Sequence, residues 1–142
     1  MRRRNVKNAH ERVCAASGIM VLEPFSYRGK WHELFGNDNP IYLEIGMGKG
    51  KFIIEHARKN PEINYIGIEK YDSVIIQAVD KLKNDGYFIK AIATEIFRRN
   101  KDLNTTLIEL SNKLNFELEI LDERERKVII LKYFEEWTIG DI

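Results

Sequence analysis

Two acids and three glycines stand close enough along this chain to serve one ligand. Glu44, Gly46, Gly48 and Gly50 fall within seven residues, and Glu69 follows nineteen residues after the last glycine. Their settings are Ile41-Tyr42-Leu43-Glu44-Ile45-Gly46-Met47-Gly48-Lys49-Gly50 and Tyr65-Ile66-Gly67-Ile68-Glu69. Glycines let a backbone approach a bound ligand, and an acid closing the next strand can accept hydrogen bonds from a ribose diol. The spacing G-x-G-x-G departs from the G-x-G-x-x-G of dinucleotide sites and lacks the lysine-serine ending of a phosphate loop. An acid just ahead of the first glycine disfavours a pyrophosphate. It suits a ligand that carries positive charge, such as the sulfonium and amino groups of S-adenosylmethionine. The alternative is a glycine-rich strand–helix turn that holds no ligand.

Other reactive side chains give weaker signals. His10, His32 and His56 share no spacing that suggests a metal site, so each reads as a surface or satisfied polar residue. Cys14 stands in a polar stretch with no base predicted beside it. Trp31, Tyr42 and Phe52 read as packing residues rather than a base-stacking platform.

The acids and glycines need elements to hold them. The dense turn cluster Gly36-Asn37-Asp38-Asn39-Pro40 leads into a predicted strand from Ile41 to Ile45. After Gly50 the period becomes helical, with Phe52, Ile53 and Ala57 on one face, and Asn60-Pro61 ends that helix. A second strand runs from Tyr65 to Ile68. A further helix follows Glu69, its buried stripe formed by Val74, Ile75, Ala78, Val79 and Leu82, and Asn84-Asp85-Gly86 closes it. A helix between two strands implies a βαβ crossover and a parallel pair. Trp31 and Phe35 share a helical face, and residues 1–20 read as a loose arm or short helix.

Beyond Gly86 the pattern reads as all-α. Residues 87–99 are predicted as one helix, with Phe88, Ile92 and Ile96 on a face. Thr106-Leu107-Ile108-Glu109 is a capping box before Leu110 and Leu114, and Asp122-Glu123-Arg124-Glu125 is a similar start before Val128, Ile129 and Leu131. A two-stranded parallel sheet is rarely stable alone, so either helices after Gly86 cover it, or a partner completes it, or the chain is marginal.

Composition narrows the class. The chain has 142 residues with a formal net charge of +1, enough for one domain or two very small ones. No window approaches eighteen consecutive apolar residues, and the Met1-Arg2-Arg3-Arg4 start lacks the apolar core of a secretory signal. The single cysteine excludes an internal disulfide. A cytoplasmic protein is the expectation. Residues 1–30 are basic through Arg2, Arg3, Arg4, Lys7, Arg12, Arg28 and Lys30 against Glu11 and Glu23, whereas residues 86–142 hold nine Lys or Arg and eleven Asp or Glu. A basic arm can contact phosphate backbones; a solvated terminus is the plainer reading.

Arg28-Gly29-Lys30-Trp31, Phe35-Gly36-Asn37-Asp38-Asn39-Pro40, the 44–50 loop and Asn60-Pro61-Glu62-Ile63-Asn64-Tyr65-Ile66-Gly67-Ile68-Glu69 together resemble the bacterial tRNA (guanine-N7-)-methyltransferase family over about residues 1–85. The resemblance implies an α/β fold in residues 1–85, a partial class I S-adenosylmethionine-dependent, Rossmann-like βαβ unit; by pattern, an all-α tail in 86–142 follows it. It implies that Glu44, Gly46, Gly48, Gly50 and Glu69 bind the cofactor S-adenosylmethionine, and that the basic arm contacts tRNA. The family's third strand ending in Asn/Asp-Ala, its Asp-Pro-Trp-Pro-Lys-Lys-type catalytic loop and its Thr-Asp-like motif have no readable counterpart. The catalytic residues are therefore unassigned, and weak or no activity is expected of the chain alone.

Leu121-Asp122-Glu123-Arg124-Glu125-Arg126 and the residues through Ile142 resemble the start of the promoter-reading helix-turn-helix of bacterial sigma factors, and 105–114 a short helix of the region before it. That resemblance implies DNA or RNA polymerase as a partner. A solvated charged helix is the alternative, with Glu123 and Glu125 interleaving Arg124 and Arg126. Three readings thus stand: a methyltransferase half fused near Gly86 to a helical segment, a DNA-binding fragment, or a chimeric or truncated reading frame without evolved function.

Overall fold

In a computed structural model of the chain, residues 6–83, 89–93 and 120–125 are described. Helix α1 spans Ala9–Ala15, a 3-10 turn spans Pro24–Tyr27, and the short helix α2 spans Trp31–Phe35. Strand β1 (Ile41–Ile45), α3 (Lys51–Lys59), β2 (Asn64–Glu69) and α4 (Asp72–Leu82) follow in the alternation read from the sequence. The stretch Ile89–Ala93 is a third strand, β3. The sheet is parallel throughout, in the order β1-β2-β3. This is a Rossmann-like α/β arrangement.

Strand β3 corrects the helix expected over 87–99 and, at those residues, the all-α reading of the tail. Phe88, Ile92 and Ile96 do fit a helical stripe, but Ile89, Ala91 and Ala93 also fit an alternating one. A five-residue stretch whose only polar member is Lys90 supports both periods. The open edge of β2 decides between them, because its backbone groups must be paired once buried. Tyr65 faces Ile89, Gly67 faces Ala91 and Glu69 faces Ala93 across that edge. On the far edge of β3, Ala91 accepts from the Val21 N–H at 2.8 Å and donates to the Ile19 carbonyl at 2.9 Å. The rest of 87–99, the Thr106 capping box and everything after Glu125 lie outside the described residues.

Alternation divides the sheet's side chains between two cores. Tyr65, Ile89, Ala91 and Ala93 meet Ala9 and Val13 of α1, Ile53 and Ala57 of α3, and Ile75, Ile76 and Val79 of α4. Ile41, Leu43, Ile45, Ile66, Ile68 and Ile92 meet Trp31 and Phe35 of α2 on the opposite face. Ile120 and Leu121 complete that second core and are fully buried. Cover on both faces is what a parallel sheet requires. The turn ahead of β1 is set by a buried amide: Asn64 Nδ2 donates to Asn37 Oδ1 at 2.8 Å, and the Asn64 N–H donates to the Pro40 carbonyl at 2.8 Å.

Segment 120–125 is tied to the chain's first third by polar contacts as well. The Trp31 Nε1–H donates to the Ile120 carbonyl at 2.8 Å. Glu125 accepts from the backbone N–H groups of Gly29 at 2.7 Å and Trp31 at 3.2 Å. The capping box read at Asp122 is formed: Asp122 Oδ1 accepts from the Glu125 N–H at 2.8 Å, and Glu125 Oε1 accepts from the Asp122 N–H at 2.9 Å. One carboxylate therefore serves three backbone donors. Arg124 points outward, its side chain 84% exposed and 3.4 Å from Asp122.

All three glycines of the turn between β1 and α3 have left-handed backbone, Gly46 at φ +78°. Gly50 precedes α3 at φ +83°, and a Cβ there would lie 2.9 Å from the Cβ of Ala78 on α4. Gly48 has φ +59° with open space around it. Left-handed backbone costs an L side chain about 1–2 kcal/mol, and overpacking adds about 1–3 kcal/mol.

Three outcomes follow for stability. Gly50→Ala should lose about 2–4 kcal/mol in denaturant unfolding, whereas Gly48→Ala should lose only about 1 kcal/mol. Glu125→Ala, which strips an ionised acceptor from three N–H groups, should cost about 2–4 kcal/mol by the same assay. The backbone N–H of Glu125 holds the Asp122 carboxyl below the usual aspartate range, helped by the nearby Arg124. Its folded pKa is thus lower than its unfolded one. The stabilisation is fully present above the ordinary aspartate value and is lost as pH falls through the lowered one. Asp122→Asn should flatten the acid limb of stability against pH, followed by circular dichroism.

Candidate functional site

Glu44 is the fourth residue of β1, and Gly67 of β2 lies directly opposite it. Glu44 is 3% exposed, a burial that an acid tolerates only with partners or a ligand of opposite charge. The chain leaves the strand at Gly46, which is exposed, while Met47 turns inward and is buried. Both residues are pinned to the neighbouring strand: the N–H groups of Gly46 and Met47 donate to the Ile68 carbonyl at 2.7 and 2.9 Å. The loop is thereby folded across the C-terminal end of β2.

Glu69 closes that end. Its Oε2 accepts from the Gly48 N–H at 3.0 Å, and its Oε1 accepts from the Tyr71 N–H at 3.4 Å. Gly48 and Glu69, twenty-one residues apart, thus form one structural unit. An ionised carboxylate offers about four lone-pair directions. Two bonds to the backbone fix the group's orientation and leave capacity for two ligand hydroxyls. The Gly50 N–H returns to the Met47 carbonyl at 3.0 Å, and the Gly50 carbonyl accepts from Ile54 at 3.0 Å, so the loop passes straight into α3. Lys81 on α4 donates to the Lys49 carbonyl at 3.1 Å and steadies the same turn.

Chemically, the site offers two acids at the C-terminal ends of adjacent parallel strands, separated by a backbone loop with open space at Gly48. That is the crevice where open α/β sheets take their ligands. Negative charge and room at the backbone fit a cationic ligand with a diol. The sequence-predicted set of Glu44, Gly46, Gly48, Gly50 and Glu69 is carried on β1, the loop that follows it and the last residue of β2. Two contributors were not in that set: the Tyr71 N–H, which holds Glu69, and the Ile68 carbonyl, which holds the loop. Backbone groups leave no trace in a pattern of residue types.

The histidines lie elsewhere. His10 of α1 meets Asp72 at 2.7 Å, and His56 stacks on Phe52 with ring centroids 4.2 Å apart. Among the described residues no cluster of His, Cys, Asp and Glu could hold a metal, and no helix is long and apolar enough to cross a membrane. Arg12 of the basic N-terminal stretch is engaged with Asp80 of α4 at 2.6 Å. Arg2, Arg3 and Arg4 lie outside the described residues.

A family model described as "Putative methyltransferase" matches residues 38–130. A tRNA (guanine-N(7)-)-methyltransferase of Geobacillus sp. (strain WCH70) is 55% identical over 82 residues, covering 58% of this chain and 37% of the relative. That of Lachnoclostridium phytofermentans is 48% identical over 100 residues, covering 68% of this chain and 46% of the relative. The protein of the same name from Bacillus subtilis (strain 168) is 49% identical over 84 residues, covering 59% and 39%. The chain thus spans less than half the length of these curated relatives. With the family match extending over more than half of its residues, the chain belongs to this methyltransferase family.

Proposed function

We propose that this chain binds S-adenosylmethionine in the crevice above β1 and β2 and forms the cofactor half of a tRNA (guanine-N7-)-methyltransferase. The observation that carries the reading is the bond from the Gly48 N–H to Glu69, which builds the loop and the acid into one cradle. Glu44 supplies buried negative charge for the cationic end of the cofactor. Glu69, oriented by Gly48 and Tyr71, takes the ribose hydroxyls. Gly46 and Gly48 keep the loop backbone low enough for close approach. When bound, S-adenosylmethionine supplies an electrophilic methyl group for the N7 of a guanine, which is itself the nucleophile.

The protein's contribution is then mainly orientation and charge stabilisation, with little acid–base chemistry to perform. The names of the relatives supply the tRNA substrate, and a tRNA substrate supplies a cytoplasmic setting. The basic residues ahead of α1 are candidates for backbone contacts with that RNA.

Calorimetric titration of the purified chain with S-adenosylmethionine tests the reading. Saturable binding is expected, weakened at least about tenfold by Glu44→Ala or Glu69→Ala, since each removes a charged hydrogen-bonding partner worth about 1.5–3 kcal/mol. A folded chain that gives no binding heat would overturn it.

A further inference from the structure

Away from the loop, three side chains of complementary chemistry line up across α1 and α4. Asp72 opens α4 with its side chain 4% exposed, and its Oδ2 lies 2.7 Å from Nδ1 of His10. A carboxylate accepts from the ring, so the His10 tautomer that this contact selects has its proton on Nδ1 and a lone pair at Nε2. That Nε2 lies 3.8 Å from Sγ of Cys14, one helical turn further along α1. Cys14 is exposed, while the His10 side chain is 43% exposed. The order from solvent inward is therefore nucleophile, base and orienting carboxylate.

The helix that carries the first two groups is held in place. Ala9 and Val13 are buried against α4, and Arg12 pairs with Asp80 at 2.6 Å. His10 and Cys14 consequently keep their relation to Asp72 rather than moving on a free arm.

We propose that Cys14 is a modification site for low-molecular-weight disulfides, with His10 as the base that takes its proton and Asp72 as the positioning residue that fixes the imidazole. In the reaction the Cys14 S–H proton passes to His10 Nε2 as Sγ attacks one sulfur of the disulfide. The new Sγ–S bond forms, the S–S bond breaks, and the departing thiolate recovers the proton from the imidazolium. Cys14 is oxidised to a mixed disulfide and the departing sulfur is reduced to a thiol, so the disulfide is the only co-reactant. The site shares no residue with the cofactor loop, and its test does not depend on cofactor binding.

The experiment mixes the full chain with dithiobis(nitrobenzoate), an aromatic disulfide, and follows release of its coloured thiolate. The chain has one cysteine, so the signal reports Cys14 alone. His10→Gln retains a donor for Asp72 but no basic nitrogen, and should react at least about tenfold more slowly than wild type. Nitrogen-15 NMR of the wild-type imidazole should show the Nδ1–H tautomer, a readout that mere packing would not set. A His10→Gln variant reacting at the wild-type rate, or a His10 proton resident on Nε2, would overturn the proposal.

Discussion

Strand β2 is the constraint on which the remaining structure depends. It pairs with β1 on one edge and β3 on the other, in register over five residues each. Its last carbonyl before the acid, that of Ile68, then takes two further N–H groups from the glycine loop. The strand therefore sets the sheet, and its end sets the site. Every group of the crevice is referenced to it: Glu44 through the Glu44–Gly67 register, the loop through Ile68, and Glu69 as its own terminus. Residues on a doubly paired strand have little freedom to drift, which is what a binding constellation needs from its scaffold.

Much of this was legible because local signals and tertiary requirements coincided. Pro40 ahead of Ile41, the switch of period after Gly50 and the Asn60-Pro61 stop all mark boundaries that the backbone obeys. Glu44 and Glu69 were legible from residue type and from their place after apolar runs. Strand β3 was not, because Ile89 to Ala93 carries no alternation of polar and apolar residues strong enough to exclude a helix. A strand buried on both faces loses that alternation. Its identity comes from the vacant edge of β2, a property of the assembled sheet.

The same division applies to residues 120–125. The reciprocal bonds between Asp122 and Glu125 are local and could be read from the sequence. The use of that carboxylate to hold Gly29 and Trp31 is not local, and no pattern of spacing announces it. The pattern of residue types marks the cap and says nothing of the docking. Capping boxes open helices of many kinds, so the motif identifies a local conformation and not its surroundings.

The docking of 120–125 on Trp31 has a temporal side. Trp31 and its contacts at Ile120 and Glu125 are separated by 89 and 94 positions in the chain. During synthesis at roughly 5–20 residues per second, the apolar face around Trp31 emerges on the order of ten seconds before the residues that cover it. Contacts of such span also form late in refolding, since loop closure must be completed first. The nascent protein thus passes through an interval in which the core around Trp31 lacks Ile120 and Leu121, and in that interval part of its apolar surface is left to whatever in the cell shields it.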